Sequence, residues 1–386
     1  VIQTKLTETI KLSFTREQEK IIHSAMDEYI RAVNETVSLA IRGIDIRKFS
    51  SKDIRANLPS AVRAQIAQDA RSIIKKHRKE CHKAVLQNKR LIAKGSPVRV
   101  TAPHLPVLKK PCCYWNNQNF VISKDTFSTE DTIYLSVPVL INGKSERIRI
   151  KTFCTEEQYD TIKSHKLGTL RIVSKNSKLI AQVSIEEAAP ELLPDNKVMG
   201  IDLGIKCPAV SFTSDGKVKF YGNGRHNKYM RRHYKYLRKK LQQKKKMAAV
   251  KRINNKEQRI MKDIDHKISR SVVNEAIKQG VSTIKLEQLA NIRTATRQSR
   301  KNNPSLHTWS FYRLAMYIEY KARLAGIQVA YVNPSYTSQK CPKCGSLNHA
   351  KDRWYGCSCG YHTHRDIVGA RNICASTEIV GNRLSA

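Results

Sequence analysis

Four cysteines near the C-terminal end have metal-ligand spacing: Cys341-x-x-Cys344, then Cys357-x-Cys359, with twelve residues between the pairs. Four thiolates so placed bind Zn²⁺ tetrahedrally and fold a short ribbon that has too little core of its own. His362 stands close enough in sequence to substitute for one of them. The competing reading is a set of free or buried thiols. The other six cysteines (Cys81, Cys112, Cys113, Cys154, Cys207 and Cys374) are scattered and read as small apolar residues. This usage suits a reducing cytosol and a metal site better than a disulfide framework. Three acids also stand out. Asp202 ends the apolar run KVMGIDL, Glu287 lies near the end of TIKLEQL, and Asp366 opens HRDIVGARNI beside small residues. Carboxylates gathered from separate elements can hold two divalent cations about 4 Å apart. Mg²⁺ or Mn²⁺ held in this way suits phosphodiester cleavage, since hard cations take oxygen ligands and keep some of their water. Taken singly, each acid could instead cap a helix or pair with a lysine.

These residues need elements to position them. Residues 1–14 alternate as a strand, and residues 16–42 change to a helical period through Ile22, Met26, Tyr29, Val33, Val37 and Ile41. Ser50-Ser51-Lys52-Asp53 is a candidate cap for a second helical stripe that runs from Val62 to Ala84. From Pro97 the period becomes strand-like, over 119–123, 132–141, 146–152, 167–174 and 178–186. Asn142-Gly143 and Lys175-Asn176-Ser177 mark turns between them. The first strand has no sheet near it in sequence, so it is expected to join this later one. That makes 15–95 a helical insertion in a β-rich domain of 1–14 and 96–194. Pro190, Pro194 and Asp195 mark the next boundary. Strands at 197–203, 207–213 and 217–222, with an acid in the first, open like an RNase H fold. A long helical region at 225–279, a strand at 283–289, a helix at about 308–325 and a strand at 327–333 follow.

Lys plus Arg number 71 against 32 Asp plus Glu, a formal charge of +39. That charge calls for a polyanionic partner, most simply nucleic acid. The 386 residues are ample for more than one core. With 40% hydrophobic residues the chain is not expected to be disordered. No run of 18 apolar residues suggests a membrane span, and the alternating N-terminal residues give no secretion signal. Residues 225–252 carry 13 Lys or Arg and no acid, along a stripe of Met230, Tyr234, Leu237 and Leu241. Arg231, Lys235, Arg238 and Lys239 are the candidate contacts to an RNA or RNA–DNA backbone, which position a duplex without reading its sequence. Tyr221, Tyr229, Tyr234 and Tyr236 could stack on bases or pack in a core.

The motifs GIDLGIK (200–206), KLEQL (285–289), YTSQKCPKCG (336–345) and HRDIVGARNI (364–373) resemble the TnpB (OrfB) family. These are transposon-encoded RNA-guided DNA nucleases, related to type V CRISPR effectors. WSFYRLAMYIEYKARLAGIQVAYVNP (309–334) extends the match. The first half of the chain matches by layout only. The resemblance implies an α+β multidomain protein. Its RNase H-like (RuvC) nuclease domain, 195–340 and 361–386, carries an inserted zinc ribbon, 341–360. Its β-barrel wedge domain carries the helical recognition insertion. It further implies that Asp202, Glu287 and Asp366 are the catalytic acids, with Mg²⁺ or Mn²⁺. Zn²⁺ belongs on the ribbon, where the family often has Cys-x-x-Cys at the second pair and this chain is one residue shorter. The implied partners are a guide RNA and target double-stranded DNA next to a short flanking motif, with one site cutting both strands. The expected assembly is a monomeric protein in a cytoplasmic, nucleoid-associated ribonucleoprotein of a prokaryote. Two other readings stay open: an RNA-guided binder that represses transcription without cutting, and a DNA transposase using the same acids.

Overall fold

The protein is described by a computed structural model over residues 3–125, 132–175, 178–188, 190–194, 197–253, 255–289, 310–350 and 352–381. The expected turn at Asn176-Ser177, the boundary residue Asp195 and the start of the helix at 308–309 lie outside the described residues. The chain divides into two compact units, one of residues 5–187 and one of residues 1–4 together with Ala188 onward.

In the first unit β1 (Gln3–Ser13) is followed by α1 (Arg16–Ile41) and α2 (Ser60–Ala93). Then come β2 (Cys112–Trp115), β3 (Val121–Asp125), β4 (Thr132–Ile141) and β5 (Lys144–Thr152). The unit ends with α3 (Glu156–Ser164), β6 (Lys166–Lys175) and β7 (Lys178–Ala188). The seven strands run in the order β2-β6-β7-β1-β5-β4-β3, so β1 sits inside a sheet built mostly from residues a hundred or more positions later. Barrel closure is not seen: the end strands β2 and β3 are not paired with each other among the described residues. Asn142 (φ 49°) and Gly143 (φ 80°) turn β4 into β5, the left-handed pair that a two-residue hairpin needs. Thr15 caps α1 in a reciprocal box with Gln18. Ile22, Met26, Tyr29, Val33 and Val37 on α1 pack with Val62, Ile66 and Ala70 on α2, in a core shared with the sheet.

Ser50 to Asp53 does not cap α2. The Asp53 carboxylate accepts from the Ser50 amide and hydroxyl, both at 2.8 Å, and closes a separate turn. The helix starts at Ser60, because Pro59 has no N–H to place in a helix interior and sits well at its edge. Two elements carry weaker sequence signals. Strand β2 is only four residues long, and α3 starts at a second reciprocal box, Thr155 with Gln158.

The second unit holds a six-stranded sheet in the order β10-β9-β8-β11-β12-β15. Strands β8 (Val198–Asp202), β9 (Ala209–Thr213) and β10 (Val218–Tyr221) are antiparallel neighbours. Strands β11 (Thr283–Glu287) and β12 (Gln328–Val332) run parallel to β8. The expected helical stretch 225–279 is three helices: α4 (Gly224–Gln243), α5 (Met247–Ile253) and α6 (Lys256–Lys278). Its first break comes where Lys245 adopts φ 53°. Helix α7 (Phe311–Leu324) precedes β12. A small hairpin of β13 (Trp354–Gly356) and β14 (His362–His364) leads into α8 (Arg365–Ala375), and β15 (Ile379–Gly381) ends the described chain.

The strand period of two divides the sheet's faces. Met199, Ile201, Ile284 and Leu286 enter a core with Val272, Leu314 and Ile318 of α6 and α7. The alternate residues, Gly200 and Asp202 on β8 and Lys285 and Glu287 on β11, belong to the opposite face, where α8 lies.

Candidate active site and metal centre

Register sets the first two acids side by side. Ile201 pairs with Leu286 across the parallel ladder, so Asp202 and Glu287 come next at the carboxyl ends of adjacent strands. The third acid arrives on α8, which packs directly on β8. Gly200 allows this approach: a Cβ there would meet the Ala370 carbonyl at 2.2 Å and the Cys374 amide at 2.3 Å. Gly369 completes it, since its Cβ would stand 2.9 Å from Asp202 Oδ2. Lys285 fixes the far end of α8 by donating to the carbonyls of Cys374 (3.0 Å) and Ser376 (2.8 Å). Asn372 donates to the carbonyls of Thr337 and Lys340, both at 2.7 Å, and ties α8 to the segment entering the cysteine cluster.

All three acids therefore gather on one face. Burial, then the charges of Glu287 and Asp366, push the Asp202 carboxyl well above the usual carboxylate range. Burial also raises Glu287, against a hydrogen bond donated by the Thr337 hydroxyl to Oε1. Asp366 is 9% exposed and opens the first turn of α8, where its amide donates to His364 Nδ1 at 3.3 Å. Arg353 Nη1 donates to both of its oxygens, at 2.8 and 3.0 Å. Sequence reasoning did not single out Arg353 or Thr337. Each reaches its acid across the fold, and no spacing rule links them. Carboxylates converging from three elements, with oxygen the only donor they offer, are of the chemistry that hard divalent cations take.

The four cysteine sulfurs of Cys341, Cys344, Cys357 and Cys359 all lie within 4.8 Å of one another. The Cys341 and Cys359 sulfurs are 3.7 Å apart and those of Cys344 and Cys357 3.5 Å. This set is consistent with Zn²⁺. The shortened second pair closes because Gly360 takes φ +82° and its amide donates to the Cys357 carbonyl at 2.9 Å. His362 is not needed as a ligand; its ring stacks on Trp354 instead. Hydrogen bonding with the Ser346 side chain and backbone, then with Cys357 and Cys359, lowers the Cys344 thiol to about 6, whereas, against a backbone hydrogen bond from Tyr361, burial and the neighbouring cysteines raise Cys359 to about 11. Tyr355 and Val368 pack with Cys341, joining the ribbon to α8.

The four basic candidates on α4 separate. Lys235 and Lys239 are exposed. Arg238 is paired with Glu257 of α6 at 2.7 Å. Arg231 is half-buried beside Gly204, Ile205 and Asp265, in a cavity of about 60 Å³. Among the tyrosines, Tyr221 and Tyr234 are core residues, whereas Tyr229 and Tyr236 are exposed.

Comparison with known proteins identifies the lineage. Residues 181–293 match the OrfB (IS605) family model, described as a probable transposase, and residues 311–373 match the Cas12f1-like TNB domain. The chain is 31% identical over 261 residues to a TnpB-like protein of Methanocaldococcus jannaschii, covering 63% of this chain and 91% of that one. The chain belongs to the TnpB (OrfB) family. It is also related to the CRISPR-associated endodeoxyribonuclease Cas12f1 of Syntrophomonas palmitatica, at 24% identity over 356 residues, 85% of this chain and 69% of the relative. Its fold resembles that of a Cas12f1 solved in complex with a single guide RNA and target DNA. That match has a TM-score of 0.57 at 15% identity, covering 98% of this chain and 99% of the other. The TnpB-family chain is thus homologous to DNA endonucleases. No helix among its described residues is long and apolar enough to cross a membrane.

Proposed function

We propose that this protein is an RNA-guided DNA endonuclease that cuts both strands of its target at one RuvC site. The observation that carries this reading is the gathering of Asp202, Glu287 and Asp366 from two adjacent strand ends and one facing helix. Asp202, Glu287 and Asp366 would hold the divalent cations, Mg²⁺ or Mn²⁺. Bound there, such ions activate water for attack on a phosphodiester and stabilise the leaving oxygen. The chain's own groups prepare the site. Thr337 orients Glu287, Arg353 holds Asp366, and Gly200 and Gly369 let α8 deliver that acid against Asp202. The ribbon carries Zn²⁺ in a structural role, and its loss would disturb the segment from which Arg353 and Asp366 come.

Guide and target are the polyanions that a charge of +39 calls for. Base pairing would read most of the target and the protein a short flanking motif, with the heteroduplex held by its shape. In this reading residues 1–14 and 96–194 are the wedge domain and 15–95 the helical recognition domain. Residues 195–340 and 361–386 form the RNase H-like nuclease, and the ribbon occupies 341–360. Lys235 and Lys239 contact phosphates.

The deciding experiment compares cleavage and binding of a guide-matched plasmid by Asp202→Ala, Glu287→Ala and Asp366→Ala variants. Each should bind guide and target and cut very little in Mg²⁺ or Mn²⁺, and a chelator should mimic them. Wild-type cutting by Asp202→Ala would show the site is elsewhere. Intact target binding with no cleavage by the unmutated protein would favour a non-cutting repressor.

A further inference from the structure

The ribbon hairpin exposes an aromatic cluster that the chemistry above does not use. Trp354 is 56% exposed, although tryptophan is usually spent on a core. Its ring lies almost parallel to that of His362, with centroids 5.5 Å apart and planes 8° apart. His364 meets it edge-on at 6.0 Å, and Phe220 of β10, itself 46% exposed, meets His364 edge-on at 5.3 Å. The cluster is fixed by backbone: Trp354 pairs with His364, and Gly356 with His362, in the β13–β14 ladder. The Trp354 amide also donates to Asp352 at 2.7 Å. Its position relative to the acids is equally fixed. Trp354 follows Arg353, which grips Asp366, and His364 accepts from the Asp366 amide.

An exposed flat ring backed by a second one is preorganised to receive a third flat group. The surrounding sequence indicates which. Residues 336–366 carry Lys340, Lys343, Lys351, Arg353 and Arg365 against two acids, Asp352 and the Asp366 that Arg353 holds. A basic segment that carries an exposed aromatic ring fits a nucleic-acid strand, with phosphates on the charges and a base on the ring. Only an unpaired base offers its face in this way.

We propose that Trp354, backed by His362, is a stacking platform for an unpaired nucleobase of the DNA strand entering the site of Asp202, Glu287 and Asp366. That destination rests on the nuclease reading; the platform itself does not. It binds without strong sequence preference, because every base has a π-face. Trp354 is a positioning residue: it holds the strand while the acids act on a neighbouring phosphodiester.

The test is equilibrium binding of a fluorescein-labelled oligodeoxythymidylate to the full zinc-loaded chain carrying Asp202→Ala, so that the probe stays whole. Raised salt suppresses phosphate contacts elsewhere on this basic protein. Adding Trp354→Ala should weaken binding about 5- to 150-fold, the range of one lost stack. Trp354→Phe should stay within about threefold of the parent, because a flat ring remains. His362→Ala should fall between them. Binding by Trp354→Ala equal to the parent overturns the proposal, as does a phenylalanine variant as weak as the alanine one. If Trp354→Ala sheds its zinc, His362→Ala decides, and unchanged binding there overturns it. The nuclease reading fails separately, if guide-matched DNA stays uncut by the unmutated protein while binding still depends on Trp354.

Discussion

Replacing Gly369 with alanine puts a methyl group where the Asp202 carboxylate stands. The new Cβ would lie 2.9 Å from Oδ2 and 3.1 Å from Cγ. Ordinary contact begins about 0.5 Å further out, so the carboxylate must move by about that much. The effect on stability is mixed. Alanine is favoured over glycine in a helix interior by about 1 kcal/mol, and overpacking costs about 1–3 kcal/mol, for a net loss of about 0–2 kcal/mol. The effect on chemistry is one-sided. A misplacement of about 1 Å can cost about 100-fold in rate, so a shift of half that should slow cleavage about 10-fold. Gly200→Ala is the control. Its Cβ meets backbone at 2.2 and 2.3 Å, which cannot turn aside as a carboxylate can. The whole of α8 must shift, at a stability cost of about 3 kcal/mol or more. Single-turnover cleavage of guide-matched DNA and a denaturant melt of both variants give the comparison. Wild-type cleavage by Gly369→Ala, or equal stability losses in the two variants, would refute the argument that Gly369 makes room for Asp202.

Three other outcomes are expected. Cys341→Ser and Cys344→Ser should each release one zinc equivalent, while His362→Ala should keep it, as metal analysis of the purified variants will show. Neutralising Lys235 and Lys239 should flatten the slope of log affinity for duplex against log salt by about 0.9 per lost phosphate contact, for all guide sequences alike. The same change at Arg238 should lower stability instead, because Glu257 would lose its partner. The third concerns Lys321, which is 4% exposed and donates to the His266 carbonyl and the Ser269 hydroxyl, both at 2.7 Å. Burial, then the Arg270 charge, lowers its pKa from 10.5 to about 8. Between those values the unfolded chain binds the extra proton, so the contribution of Lys321 to stability rises as pH rises through this window and is flat below it. Unfolding midpoints of wild type and Lys321→Met should therefore diverge in favour of wild type from about pH 8 upward; a constant difference would contradict the assignment.

Sequence alone determined what local chemistry and local pattern can carry. The cysteine spacing marked a candidate zinc site because four thiolates within 20 residues can be brought round one ion by folding a short ribbon. The short apolar runs KVMGIDL and TIKLEQL marked buried strands, and an acid near the end of each marked something other than core. The helical stripes of α1 and α2 could be read because burial of one face repeats at the helix period. Start points were less legible. Asp53 closed a turn of its own, and a proline six residues later set where α2 begins. A continuous basic stripe also did not reveal that Lys245 would break it, or that Arg238 would be neutralised by Glu257. Tertiary structure decided the rest. The adjacency of Asp202 and Glu287 depends on the register of two strands 85 residues apart, and Asp366 joins them only because two glycines let α8 approach closely. Arg353 reaches Asp366, and Thr337 reaches Glu287, through packing that no sequence interval encodes. A side chain's type and its neighbours along the chain fix what it can do, but its partners are set by how separate elements close over a shared core.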